Sequence, residues 1–437
     1  MKVKTQDSPR FLKAPSGMRD ILPTNQHCLQ RIEKVISDLA DFYNFNRIDT
    51  SVIEQTALFE RAAGGEEGDF QKEIYFLKTK SGGSLNLRPE GRLSVARAYL
   101  EHNLGRISQP QKLFYQGPVF KESSRRQKHY RQHLEAGFEI IGGQSDPIYD
   151  AQIILICDRI IQNLKIKDVV LKINSAGCRI CRPIYKRQLK NYYKRYEKDL
   201  CGVCTGHLET NPLKILFCDD KECEKLNGES PNFLDKLCVT CVNHLKSVLE
   251  YLDELEVSYT MENRLMLSHE FLNRTIFEFF LEKNEGNSAV SPVSLFSGGR
   301  YDYLLELLGG RITPAVGAAL SFEPILEAMK AHDVKIPARN SKKVFLVHVG
   351  SLAKKKSLKL IEQLRVAGVP VYEALGKESM ESQLKIANKQ GMKLALIFGQ
   401  KEIYEGSVII RDLKTGLQET VVFSKMVAEI QKRSRES

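Results

Sequence analysis

No stretch of the 437 residues approaches the roughly 18 consecutive uncharged apolar positions that a spanning helix needs, so a helical membrane segment is excluded. Met1–Leu12 carries charge but lacks an apolar core followed by small residues, so no secretory signal is expected and a cytoplasmic location is. The dinucleotide fingerprint G-x-G-x-x-G is absent, and no segment repeats. With 42% hydrophobic and 27% charged residues the chain has too much apolar mass to be disordered, and its length rules out a small disulfide scaffold. That length predicts about three domains of ordinary size.

The charge is uneven. The net is +11, but residues 341–437 hold 18 Lys+Arg against 10 Asp+Glu, a net of +8, which leaves +3 for residues 1–340. A basic C-terminal module on a near-neutral body suits a polyanion, most simply a nucleic acid; a solvated lysine-rich surface is the plain alternative.

Ten cysteines without an export signal point to reduced thiols. Eight crowd into residues 178–241 as Cys178-x2-Cys181, Cys201-x2-Cys204, Cys218-x4-Cys223 and Cys238-x2-Cys241, the pairs standing 13–19 residues apart. Short pairs at such distances match structural zinc sites, and eight ligands suit two four-cysteine ions. Reduced, partly buried thiols are the alternative, but four pairs are hard to explain by burial. Which pairs share an ion is left open by the spacing. Cys28 and Cys157 lie in apolar helices and read as core.

Leu29, Ile32, Val35, Ile36 and Leu39 have helical spacing. Strands are predicted at 74–77 and 85–87 around Gly82-Gly83, at 112–119 and 133–141 around a basic loop, and at 276–280, with an apolar run at 315–322 and helices at 90–102 and 147–165. The Cys-rich, Lys-rich stretch 168–262 interrupts this pattern and reads as an insertion. Beyond the polar linker 332–342, strands alternate with 10–15-residue helices, which predicts a small α/β domain with a largely parallel sheet. The boundaries are therefore 1–167 with 263–331, then 168–262, 332–342 and 343–437.

Several segments, in order, resemble histidyl-tRNA synthetase, a class II aminoacyl-tRNA synthetase: Ser16-Gly17-Met18-Arg19-Asp20-Ile21-Leu22-Pro23, Leu87-Arg88-Pro89-Glu90-Gly91, Phe114-Tyr115-Gln116-Gly117-Pro118-Val119-Phe120, Tyr130-Arg131-Gln132, Asn273-Arg274-Thr275-Ile276-Phe277-Glu278 and Gly298-Gly299-Arg300-Tyr301-Asp302. Leu364-Arg365-Val366-Ala367-Gly368 and Ile397-Phe398-Gly399 are similar to the anticodon-binding domain. The resemblance implies an α+β class II core (an antiparallel sheet flanked by helices), a Cys-rich insertion, a C-terminal α/β anticodon-binding-like domain, a homodimer and a tRNA partner.

The family joins histidine to ATP as an adenylate and then charges tRNA. Negative charge builds on phosphate oxygens, so fixed cations aimed at them supply the main catalytic effect. Here the sequence departs from the family. The motif 2 arginine is Lys121, which keeps the charge but not the bidentate fork. The arginine before the Asn-Arg-Thr strand is Leu267, and the tyrosine that helps hold substrate histidine is Leu272. The motif 3 arginine is Pro324, and the motif 1 proline of the dimer interface is Ser51. In the implied amino-acid pocket Glu90, Glu139, Arg300 and Tyr301 match, while the threonine two places after Glu90 is Arg92 and a glutamine is Glu135. A guanidinium beside the expected substrate ammonium would repel it. Residues 121–131, with Lys121, Arg125, Arg126, Lys128 and Arg131, are five-elevenths basic and lie where relatives meet the tRNA acceptor end.

Three readings follow. In the first, the fold and RNA surfaces persist while adenylation is lost or strongly weakened. In the second, a working ligase uses ATP and Mg²⁺ through relocated cations such as Arg92, Arg125 or Arg126. In the third, the chain is a regulatory partner of another enzyme, against which the retained anticodon-like domain counts.

Overall fold

The structure is a computed structural model that describes residues 11–63, 74–122, 130–263, 265, 271–282, 293–334 and 344–433. It forms two units, Met1–Ile336 and Pro337–Ser437.

In the first unit α1 (Pro23–Phe42) starts on a proline, whose fixed φ and missing N–H suit a first helical turn. It buries Leu29, Ile32, Val35, Ile36 and Ala40 along one stripe. Next come β1 (Asn46–Arg47), β2 (Ile53–Gln55), α2 (Thr56–Ala62), β3 (Phe76–Lys78) and β4 (Ser84–Leu87). β3 and β4 form the expected hairpin, and β2 pairs on the other edge of β4.

After α3 (Arg92–Glu101), two ten-residue strands, β5 (Gln111–Phe120) and β6 (Gln132–Ile141), pair antiparallel from Gln111↔Ile141 to Phe120↔Gln132. α4 (Ile148–Asn163) buries Ile153, Ile154, Ile156, Cys157, Ile160 and Ile161. Each buried aliphatic side chain contributes about 1.5–3 kcal/mol to the core. β7 (Val169–Ser175) precedes the cysteine module, which holds α5 (Cys181–Lys194), α6 (Gly202–Thr210), α7 (Lys221–Gly228) and α8 (Val239–Glu254). β8 (Thr260–Met261), β9 (Asn273–Leu281), β10 (Val293–Arg300), α9 (Leu304–Leu307), β11 (Ala315–Ser321) and α10 (Phe322–Ala331) complete the unit.

Eight strands form the central sheet in the order β1-β5-β6-β11-β10-β9-β7-β8. Its six inner strands are antiparallel, as expected; the short edge strands β1 and β8 pair parallel, so the sheet is mixed. The ends of 168–262 differ from the insertion reading. β7 pairs along β9, and β8 along β7, so both belong to the sheet. Leu245, Val248 and Leu252 of α8 also lie in the main core. A residue-by-residue texture of Lys and Cys hides this, because strand membership depends on a partner a hundred residues away. The module keeps a core of its own around Tyr185, Leu189, Tyr193, Ile215 and Phe233.

The second unit contains β12 (Val344–His348), α11 (Ser351–Val366), β13 (Val371–Glu373), α12 (Met380–Lys389), β14 (Leu394–Phe398), α13 (Gln400–Glu405), β15 (Ser407–Asp412), β16 (Gln418–Val422) and α14 (Phe423–Arg433). The sheet order is β13-β12-β14-β15-β16, with the first three parallel and the last two antiparallel. β12 and β14 are wholly buried, which is why both read as continuous apolar runs. α13 has no apolar periodicity to announce it; the Glu402 carboxylate accepts from Gly399 N–H at 2.9 Å and Gly406, at φ 63°, ends it.

Candidate functional site

Glu90, Gly91 and Arg92 lie where the chain enters α3. Tyr115 is on β5, and Glu135 and Glu139, four residues apart on β6, share one face of that strand. Tyr301 follows β10 directly. These elements converge on one buried cluster. Arg92 Nε lies 3.4 Å from Glu139 Oε1, its side chain only 5% exposed and that of Glu139 0%. Its guanidinium carbon stands 5.4 Å from the centre of the Tyr301 ring. Tyr301 Oη donates to Glu139 Oε2 at 2.5 Å. Tyr115 Oη (2.9 Å) and Gly91 N–H (2.8 Å) both donate to Glu135 Oε1.

Two glycines make room for this arrangement. A Cβ on Gly317, which is paired with Glu139 across the sheet, would lie 1.6 Å from Glu139 Oε2, and one on Gly91 would lie 2.1 Å from Tyr115 Cε2. The cluster is electrostatically tight. Burial pushes the Glu139 carboxyl up to about 7, with Arg92 the leading influence pulling it back. Burial and the neighbouring Glu90 also raise Glu135. Arg92 is held more firmly charged: burial opposes its charge, but Glu139 and Glu90 outweigh burial. The arrangement is a buried guanidinium held by Glu139, with the Tyr301 and Tyr115 hydroxyls donating to Glu139 and Glu135.

Arg300, which the resemblance places in the same pocket, turns elsewhere. Its guanidinium is 1% exposed and contacts both Asp150 oxygens, Asp302 Oδ1 at 3.2 Å and the Asp146 carbonyl at 3.0 Å. His244 Nε2 completes the group, 3.3 Å from Asp150 Oδ1. Arg300 thus ties β10 to α4 inside the fold, and adjacent positions at a strand end point to opposite faces.

The replaced positions divide. Leu267 lies outside the described residues, as do Arg125, Arg126 and Lys128. Leu272 is buried in the apolar cluster with Phe271, Leu265 and Tyr301. Lys121 is exposed, and its N–H donates to the Arg131 carbonyl at 2.9 Å. Pro324 is the third residue of α10, where a helix N–H has no intrahelical partner to lose, and Ser321 stands at the cap position without a side-chain cap bond.

Next to Pro324 the structure places a cation that sequence reasoning missed. Arg19 Nη2 lies 2.9 Å from Glu323 Oε1, and its guanidinium stacks 4.0 Å over the Tyr130 ring. His133 Nδ1 stands 3.6 Å from Glu323 Oε2. Burial would raise Glu323, but its contact with His133 and the Leu134 N–H donated to it hold it below the ordinary range. Arg131 N–H donates to the Gly17 carbonyl at 2.7 Å, so the segment around Arg19 braces one end of the basic loop. The Gly-Met-Arg-Asp turn was the available signal; its long-range partner was not.

The cysteines gather in two nested groups. Cys178, Cys181, Cys238 and Cys241 form one, and Cys201, Cys204, Cys218 and Cys223 the other; within each, all ligand atoms lie within 4.8 Å of one another. The Sγ separations Cys178–Cys181 (3.6 Å), Cys178–Cys238 (3.9 Å) and Cys201–Cys218 (3.7 Å) match the ~3.8 Å edge of a tetrahedron with metal–sulfur bonds of ~2.3 Å. Backbone N–H groups of Cys238 and Cys201 donate to Cys181 Sγ (3.1 Å) and Cys223 Sγ (3.3 Å). The donor set and its shape fit a soft divalent metal.

Comparison with known proteins agrees with this fold. Residues 17–195 match the family model described as histidyl-tRNA synthetase, and residues 343–433 match the anticodon binding domain. The histidine–tRNA ligase of Dehalococcoides mccartyi strain 195 is 35% identical over 421 residues, covering 96% of this chain and 99% of its own. That of Desulforamulus reducens is 34% identical over 420 residues, covering 96% and 99%. The crystal structure of apo S. aureus histidyl-tRNA synthetase aligns with a TM-score of 0.80 at 29% identity, over 96% of this chain and 100% of that one. Among the described residues no helix is long and apolar enough to cross a membrane. The chain belongs to the histidyl-tRNA synthetase family of class II synthetases.

Proposed function

We propose that this chain binds tRNA as a cytoplasmic homodimer and that its histidine adenylation is lost or strongly weakened. The observation that carries this reading is Arg92, whose guanidinium sits against Glu139 and the Tyr301 ring. The resemblance puts the substrate's amino group in that neighbourhood. A second cation ~4 Å from Arg92 would meet about 4 kcal/mol of repulsion at an effective dielectric of 20, near a thousandfold in binding. Glu139, one of the acids that would recognise an ammonium, is already engaged with an internal cation. Lys121 and Pro324, in place of arginines, remove grip on the phosphates from the same reaction.

The basic C-terminal module supports the RNA half of the reading, since a net of +8 over residues 341–437 favours a polyanion. Zinc in the two thiolate groups fits as a structural metal. Arg19 favours a second reading, a working ligase using ATP and Mg²⁺ through relocated cations, because it lies beside the residue that precedes Pro324. Its guanidinium is, however, already committed to Glu323 and Tyr130.

Histidine-dependent ATP–pyrophosphate exchange separates the two. The purified chain is expected to remain at background while binding tRNA in a salt-sensitive manner. Exchange that rises with histidine would overturn the loss of adenylation.

A further inference from the structure

The two cysteine groups connect to the rest of the protein differently. Cys178 and Cys181 follow β7 after a turn of two residues, Ala176 and Gly177, and that turn is bonded to the start of β9. Ala176 N–H donates to the Arg274 carbonyl and Arg274 N–H donates to the Gly177 carbonyl, both at 2.6 Å. Arg182, one residue past Cys181, donates to the Leu272 carbonyl at 2.6 Å. Arg179, between the two cysteines, stacks 4.1 Å over the Tyr303 ring and pairs with Glu306. These bonds reach Leu272, Arg274, Tyr303 and Glu306, on the two segments that carry Leu272 and Tyr301; those two side chains share one apolar cluster, and Tyr301 in turn donates to Glu139.

The other half of the same group enters from the opposite side. Cys238 and Cys241 begin α8, whose later turns place Leu245, Val248 and Leu252 in the main core. The group therefore clamps the chain where it leaves the sheet to where it re-enters the main core, across 60 residues. Arg274 has φ 52°, a left-handed conformation that a non-glycine residue keeps only when its surroundings over-determine it. The clamp supplies such surroundings. The group of Cys201, Cys204, Cys218 and Cys223 is internal by contrast: the hydrogen bonds of Cys201, to Cys223 and Cys218 sulfur, stay within the module.

We infer that a metal held by Cys178, Cys181, Cys238 and Cys241 is a positioning site for the Leu272–Arg274 segment, which packs with Tyr301 of the acid cluster, whereas the inner centre serves only to fold the module. This rests on the reading that both groups bind a soft divalent metal such as zinc. Removing the outer ion frees the 176–182 turn, and the backbone bonds to β9 then open together with it. Removing the inner ion loosens residues 201–228 and leaves β9 as it was.

The test uses the full chain with two double variants, Cys178→Ser/Cys238→Ser and Cys201→Ser/Cys218→Ser. Zinc per chain is measured by elemental analysis, and backbone protection by hydrogen exchange. Two zinc ions in the parent and one in each variant are expected. Exchange at residues 272–276 should rise at least about tenfold in the first variant and stay within about twofold of the parent in the second. Equal exchange at 272–276 in both variants, with one metal each, overturns the positioning role while leaving the metal reading intact. A parent chain without metal in reducing buffer overturns the metal reading and the inference with it. Should the first variant not fold, graded chelation of the parent reads the same quantity. Thiol alkylation at Cys178 and Cys238 should then appear together with faster exchange at Arg274, and alkylation without that change refutes the inference.

Discussion

Replacing Arg92 by methionine keeps most of the buried stem but removes its charge from between the acids. Breaking a buried ion pair by deleting one partner costs about 3–5 kcal/mol, because the other charge is left uncompensated. Here the cost depends on pH. Glu139 titrates near 7 in the folded chain against an ordinary 4.5. The native state therefore binds more protons than the unfolded state between those values, and stability falls as pH rises through the window. The 2.5-unit difference corresponds to roughly 3 kcal/mol. Arg92 is the main influence restraining that rise, so without it the folded-state value climbs and the window extends to higher pH. The variant is expected to lose about 3–5 kcal/mol at pH 8.5 and at least about 1 kcal/mol less at pH 6, where Glu139 neutralises itself. The chain has no tryptophan, so urea unfolding is followed by circular dichroism. Adding Glu139→Gln should recover roughly half of the loss, since the two residues touch and their effects do not add. A loss independent of pH, or none at all, would refute the enclosed-guanidinium argument.

Asp150 gives the opposite pH signature. Burial opposes its charge, but Arg300 outweighs burial and holds it at about 2 against 3.8, so its contribution is complete above the unfolded value and is lost as pH falls through the folded one. Asp150→Asn should cost about 3–5 kcal/mol at neutral pH and flatten the decline in stability between pH 4 and 2, measured by the same unfolding series. Gly91→Ala forces a methyl against Tyr115 and should cost at least about 1–3 kcal/mol, seen as a lower unfolding midpoint with the 337–437 unit unchanged. Lys121→Arg, Leu267→Arg, Pro324→Arg and Arg92→Thr should yield histidine-dependent pyrophosphate exchange only in combination, because each missing donor alone costs about 10²–10³ in rate. Any single reversion that restores exchange would contradict the reading.

Much of the secondary structure was readable because its causes are local. The stripe of Leu29, Ile32 and Ile36 needs only a 3.6-residue period, and the β3–β4 hairpin needs only Gly82-Gly83 between short apolar runs. The short helix at Gln400–Glu405 escaped because a side-chain cap, not an apolar face, defines it. In the pocket, the types at 90, 92, 135, 139 and 301 could be aligned with a family from sequence. Arg300 could be aligned equally well, yet its guanidinium belongs to Asp150 on α4. Arg19 had no visible partner, because Glu323 is 304 residues away.

By itself the sequence determined the family, most of the order of elements, the basic C-terminal module and the presence of eight clustered thiols, since each is a property of residue types and their spacing. Only the tertiary structure decided that the outer cysteine pairs share one group and the inner pairs another, that Arg92 is enclosed against Glu139, and that Arg300 is an internal tie. Those outcomes depend on which strands lie side by side and which face each side chain takes, and neighbours in space are set by the packing of the whole sheet.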